Sequence, residues 1–156
     1  MNLPFRIALV SVLLAAALLT NLPPALAVGT TIHVDTAADN ATGSNGICTL
    51  REAINNANSD GVDTTGGDCE TGSADDEIVF DANYTITLGS ELPAVDTTIT
   101  ITGNGAPQSI IEADDCNPLT LPGGCVPVGY RVLRVESPGD LTLYGVTIRH
   151  GYCAGA

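Results

Sequence analysis

Short alternating stretches, each cut off by turn residues after a few positions, restrict this chain more than any other feature. In Thr97 to Thr102, Ile99 and Ile101 face one way and Thr98, Thr100 and Thr102 the other, the period of a half-buried strand. Tyr84 to Leu88 alternates likewise, and Thr30 to Val34 sets Ile32 and Val34 opposite His33, which reads as a solvated strand residue. Ile78-Val79-Phe80 and Ile110-Ile111 are short runs of buried type, with Leu92 and Val95 between them. Tyr130 to Val135 reads as a further strand, and Leu141, Leu143, Val146 and Ile148 continue the pattern to Gly151. Gly103-Asn104-Gly105 and Pro138-Gly139-Asp140 are turns. Units this small cannot bury their own apolar face and have to stack. The expected class is all-β: a coil of roughly 20–25 residues per turn, each turn placing two or three short strands on successive sheets, a parallel β-helix. A β-sandwich also uses short strands and turns and is the alternative.

One stretch breaks the β pattern. Cys48 to Asn58 reads CTLREAINNAN, with Leu50, Ala53, Ile54 and Ala57 at the i, i+3, i+4, i+7 spacing of a helical stripe. Thr49 and Glu52 form a capping-box pair, the hydroxyl taking an orphan amide and the carboxylate reaching back to the cap. Asn55, Asn56 and Asn58 are weak helix formers, and Ser59-Asp60-Gly61 stops the segment. A helix of two to three turns is marginal alone and needs an apolar surface. The first turn of a stacked solenoid, with its exposed core and unpaired edge, offers one.

Residues 1–27 read as a secretory signal peptide: Arg6, an apolar run over Ile7 to Leu19 broken only by Ser11, Pro23-Pro24 and an Ala25-Leu26-Ala27 cleavage site. The run is shorter than the ~20 residues of a membrane-spanning helix, so no span is expected in the mature part. Beyond it lysine is absent and the basic residues are Arg51, Arg131, Arg134 and Arg149 against 18 acidic residues, which makes nucleic acid and anionic lipid poor partners. All five cysteines follow the leader, and export permits disulfides. The favoured local pairings are Cys48–Cys69 and Cys116–Cys125, with Cys153 left unpaired. The first would close a loop of about 20 residues and stabilise by about 3 kcal/mol. It would also tether the polar loop Ser59 to Asp75. A metal site is the rival reading, but the spacings are wide and no CxxC occurs.

The expected organisation is a leader at 1–27, an N-terminal cap at 28–75 with strand, helix and tethered loop, and the first β-helix rungs at 76–156. Glycoside hydrolysis would need a carboxylate pair, for which Asp75-Asp76, Asp114-Asp115 and Glu112 are available. Adjacent acids in polar loops read as solvated charge. Asp75 and Asp76 are calcium candidates at most, because the EF-hand spacing is absent. Arg131 and Arg134 would leave a strand on opposite faces, and Arg149-His150 reads as solvated turn chemistry. No nucleophile elbow, phosphate loop or zinc helix appears, so neither a catalytic set nor a cofactor is expected. Asn40-Ala41-Thr42 and Asn83-Tyr84-Thr85 match the glycosylation acceptor pattern.

Cys48-Thr49-Leu50-Arg51-Glu52-Ala53-Ile54 resembles the CSLREA-type N-terminal segment of secreted bacterial right-handed parallel β-helix proteins of pectin-lyase-like type, with Thr where that family usually has Ser. Leu141 to Gly151 resembles one of its rungs. The likeness spans most of Thr30 to Gly151; the helix motif is fairly specific and the rung phrases individually are not. It implies a bacterial exported protein, secreted or at the cell surface, in a family that includes relatives of polymorphic outer-membrane proteins and adhesins. The expected function is a non-enzymatic, adhesin-like or scaffolding module, with surface carbohydrate or a host-surface ligand as partner. The alternative is a carbohydrate-active enzyme, a polysaccharide lyase or glycoside hydrolase, whose site lies mainly in further C-terminal rungs. With no second lid after Gly151 and Cys153 unpaired, the reading also expects the natural product to continue beyond Ala156.

Overall fold

A computed structural model describes residues 28–113 and 129–152. The proposed leader, Asp114-Asp115, Cys116, Cys125 and Cys153 lie outside the described residues. Among the described residues there are seven strands and one helix: β1 (Thr31–Val34), α1 (Leu50–Asn58), β2 (Asp76–Phe80), β3 (Thr85–Thr87), β4 (Thr98–Thr102), β5 (Ile110–Glu112), β6 (Asp140–Tyr144) and β7 (Thr147–Arg149). One sheet has the order β1-β2-β4-β6 and the other β3-β5-β7, so the chain visits the two sheets in turn. All five strand pairs are parallel. Antiparallel pairing, which a β-sandwich would need, does not occur among the described strands.

The register turns the alternation into columns. Ile32, Ile78, Ile101 and Leu143 are successive partners in the first sheet, and Ile86, Ile111 and Ile148 in the second. The period-two pattern puts these residues on the inner face, where all but Leu143 and Ile148 are fully buried. Each full burial is worth about 1.5–3 kcal/mol. The threonines Thr98, Thr100 and Thr102 lie on the other face, and Thr102 Oγ1 donates to Glu77 Oε1 at 2.8 Å.

The connections stack as well. Gly103 N donates to Tyr144 O and Gly105 N to Gly145 O. A Cβ on Gly103 would stand 2.6 Å from Gly145 O, and Gly145 has φ of 61°, so only glycine fits at this crossing.

Tyr130 to Val135 is not a strand. Its pairing is one isolated parallel bridge, Val135 to Val95, and Val132 alone of its residues is fully buried. Tyr130 uses its hydroxyl instead, donating toward Leu88 O and Ala113 O at 2.7 and 2.9 Å. The segment is held by these hydroxyl contacts and by a few isolated backbone bonds, Tyr152 N to Tyr130 O and Val95 N to Arg134 O, rather than by a ladder.

Candidate functional site

The segment expected to act as a cap is organised around α1. Thr49 stands at the N-cap in extended conformation, its Oγ1 accepts from Glu52 N, and the Glu52 carboxylate accepts from Thr49 N at 3.1 Å. Leu50, Ala53, Ile54 and Ala57 are all buried, and the helix packs against β1 and β2. Glu52 Oε1 is buried without a hydrogen-bond partner among the described residues. The Cys48–Cys69 disulfide is formed and fastens the helix start to the 59–75 loop.

Three further residues of the helix, to which the sequence assigned no contact, hold it in place. Arg51 grips Asp39 through Nε and Nη2 at 2.8 and 2.9 Å, and donates to Glu91 O and Ser90 O. Such a two-pronged guanidinium–carboxylate contact fixes orientation as well as distance. Asn58 donates to Ala94 O and accepts from Asp96 N, which joins the helix end to the approach to β4. Asn56 is fully buried, accepts from Thr64 N and donates to Glu70 O. The signal for them was a set of polar side chains beside an apolar stripe; their partners, 8 to 40 residues away, were not readable.

Two of the candidate acids, Asp76 and Glu112, behave differently from solvated charge. Asp76 is buried: Oδ1 accepts from Thr30 N at 2.7 Å and Ser73 N at 2.9 Å. Burial pushes its pKa above the ordinary 3.8, opposed by those two amides. Asp75 is exposed. Asp76 is a fastener of the β1–β2 start, with its oxygens already facing N–H donors, and among the described residues no group of three or more metal-binding side chains converges. Glu112 is buried too, accepting from Thr87 Oγ1 at 3.0 Å and pairing with Arg149 at 2.5 Å. Arg149 is therefore not merely solvated: β5–β7 register puts it opposite Glu112. His150 Nδ1 lies 3.8 Å from the same carboxylate. Arg134 pairs with Glu91 and Glu136.

Two surface features remain. On the outer face of β1, His33 Nδ1 meets Asp81 Oδ1 at 2.7 Å, and that bond raises the histidine pKa above 6.5. At the opposite end of the sheets a cleft of about 460 Å³ runs between the last strands, floored by Val132, Leu141, Leu143 and Ile148, with Arg149 and His150 at its wall. β6 and β7 are the outer strands there, and Leu143 and Ile148 are each 38% exposed.

Among the described residues no helix is long and apolar enough to cross a membrane. No family model, curated protein or solved structure matches the chain.

Proposed function

We propose that this chain is the sealed beginning of an exported right-handed parallel β-helix of the CSLREA type, a non-enzymatic module that adheres to surface carbohydrate or scaffolds a longer assembly. The observation that carries the reading is the column Ile32–Ile78–Ile101–Leu143, with α1 packed at its first members. Parallel strands stacked in register, returning alternately to two sheets, are what a coil of short strands produces. The helix covers the end where the column starts, as terminal units of stacked folds require. The disulfide fits an oxidising compartment. Asp76 and Glu112, the described acids best placed by sequence for hydrolysis, are engaged with backbone amides and with Arg149, which supports a structural use of both.

A second reading, a carbohydrate-active enzyme, draws on the cleft beside β7, where Arg149 and His150 flank the Glu112 carboxylate. Incubation with a panel of acidic and neutral polysaccharides separates the two. The adhesive module retains a polysaccharide without releasing new reducing or unsaturated ends. Release of such ends, lost in Glu112→Gln, would replace the first reading with the second.

A further inference from the structure

We infer that the open end of the stack, at β6 and β7, is a docking edge for an extended partner segment in which an apolar residue is followed directly by an acidic one. Among the described residues β6 pairs only with β4 and β7 only with β5. Asp140 N donates to Thr97 O and Gly103 N to Tyr144 O, while Thr147 N donates to Ser109 O and Ala113 N to Arg149 O. These bonds turn Asp140, Thr142 and Tyr144 toward β4, and Thr147 and Arg149 toward β5. By the alternation of a parallel ladder the remaining residues of both strands, Leu141, Leu143 and Ile148, turn their N–H and C=O groups off the end of the stack. None of those groups is bonded among the described residues. An edge of that kind accepts a further strand.

The register states what that strand carries. The inner columns end on Leu143 and Ile148, which floor the cleft and are each 38% exposed, so the next inner member is apolar. The row beside the second column runs Thr87, Glu112, Arg149. Glu112 takes the Thr87 hydroxyl on one side and Arg149 Nε and Nη2 on the other. Arg149 Nη1 has no partner among the described residues, and a guanidinium with a vacant prong suits a carboxylate. Arg131 and His150 line the same cleft, and no acidic residue among the described ones does, in a chain of net charge -13. The next member of the row is therefore acidic. Apolar then acidic is the Ile111-Glu112 phrase of β5. A folded second copy does not offer it: there β5 is paired on both sides, and the β1 edge sets His33 after Ile32. The inference rests on the scaffolding reading and gives it a surface and a partner.

The test is an NMR titration of the isotope-labelled full oxidised chain with a synthetic peptide of residues 107–113, Pro-Gln-Ser-Ile-Ile-Glu-Ala. Amide shifts should appear at Leu141, Leu143 and Ile148 below about 1 mM peptide. Glu112→Gln in the peptide should weaken binding about fivefold, as loss of one half-exposed ion pair does, and Glu112→Lys further. Leu143→Asp in the chain should weaken it at least about tenfold. The peptide variants leave the protein untouched, so they decide the matter if the chain variant does not fold. No shift at about 1 mM overturns the inference. Equal binding of the Glu, Gln and Lys peptides overturns the acidic partner. Shifts at Thr85–Thr87, which mean that the peptide displaces β5, overturn the docking edge, as does unchanged binding to Leu143→Asp. Polysaccharide retention is read separately, so the adhesive reading and this one fail independently.

Discussion

The two ends of the stacked sheets are made of similar strands and finished in opposite ways. At β1 the inner residues Ile32 and Val34 are fully buried, the helix stripe lies against the strand, and the outward amides of His33 and Asp35 are occupied. At β6 Leu143, the register equivalent of Ile32, and at β7 Ile148, the last member of the second sheet's column, are each 38% exposed. Leu141 and Leu143 turn their backbone groups away from β4, since Asp140 N and Tyr144 O are the groups that bond to it. Inward patterning alone therefore does not bury a residue at the end of a stack. Something must cover it, and at the β1 end the nine residues of α1 pack against β1 and β2 while one disulfide fastens the helix start.

The sharpest test of this contrast is a matched pair of substitutions. Ile54→Asp removes a fully buried side chain, costing about 2–5 kcal/mol for the lost packing, and leaves an unpaired charge there. Against a domain stability of about 5–15 kcal/mol, the variant should aggregate or melt far earlier. Leu143→Asp at the other end should change stability by less than about 1 kcal/mol. Thermal melts with light scattering compare them, and equal effects would break the distinction between the ends. Next in size, removing the disulfide should cost about 3 kcal/mol in denaturant titration. Thr49→Ala should cost about 1 kcal/mol while Thr49→Ser costs little. A Thr49→Ala loss near zero would mean that Arg51 and Asn58 hold the helix without its cap.

The smallest expected effect concerns pH. The Asp81 carboxylate raises the His33 pKa above 6.5, so the pair contributes fully below that value, and the contribution is lost as pH rises through the higher folded-state pKa. Both side chains are about half exposed, so the gain is slight and screened by salt. A proton NMR titration should place His33 above 6.5, and Asp81→Asn should lower it toward that value.

What could be read from the sequence was local. The stripe Leu50, Ala53, Ile54 and Ala57 and the Thr49–Glu52 pair lie within one short segment, and the strands at Thr98–Thr102 and Thr85–Thr87 announce themselves by alternation. What failed was non-local. Tyr130 to Val135 carries strand-forming residues, yet backbone pairing depends on the neighbour that β-register supplies, and there it supplies one bridge. Asp76 looked like a solvated acid and Glu112 like a free carboxylate candidate because their partners, Thr30 N and Arg149, sit 46 and 37 residues away. Arg51 carried no visible assignment because Asp39, Ser90 and Glu91 reach it from two separate loops.

The column Ile32, Ile78, Ile101, Leu143 has one more consequence. Its members are evenly layered in space but 46, 23 and 42 positions apart in the chain. Spacing along the polymer is thus decoupled from spacing along the stack. Doubling a flexible connection costs only about 0.6 kcal/mol, whereas deleting one residue inside Thr98–Thr102 would turn the side chains on one side of the deletion to the opposite face. Such an architecture is a natural display frame: new peptide cargo can be spliced between layers while the layers themselves stay unaltered.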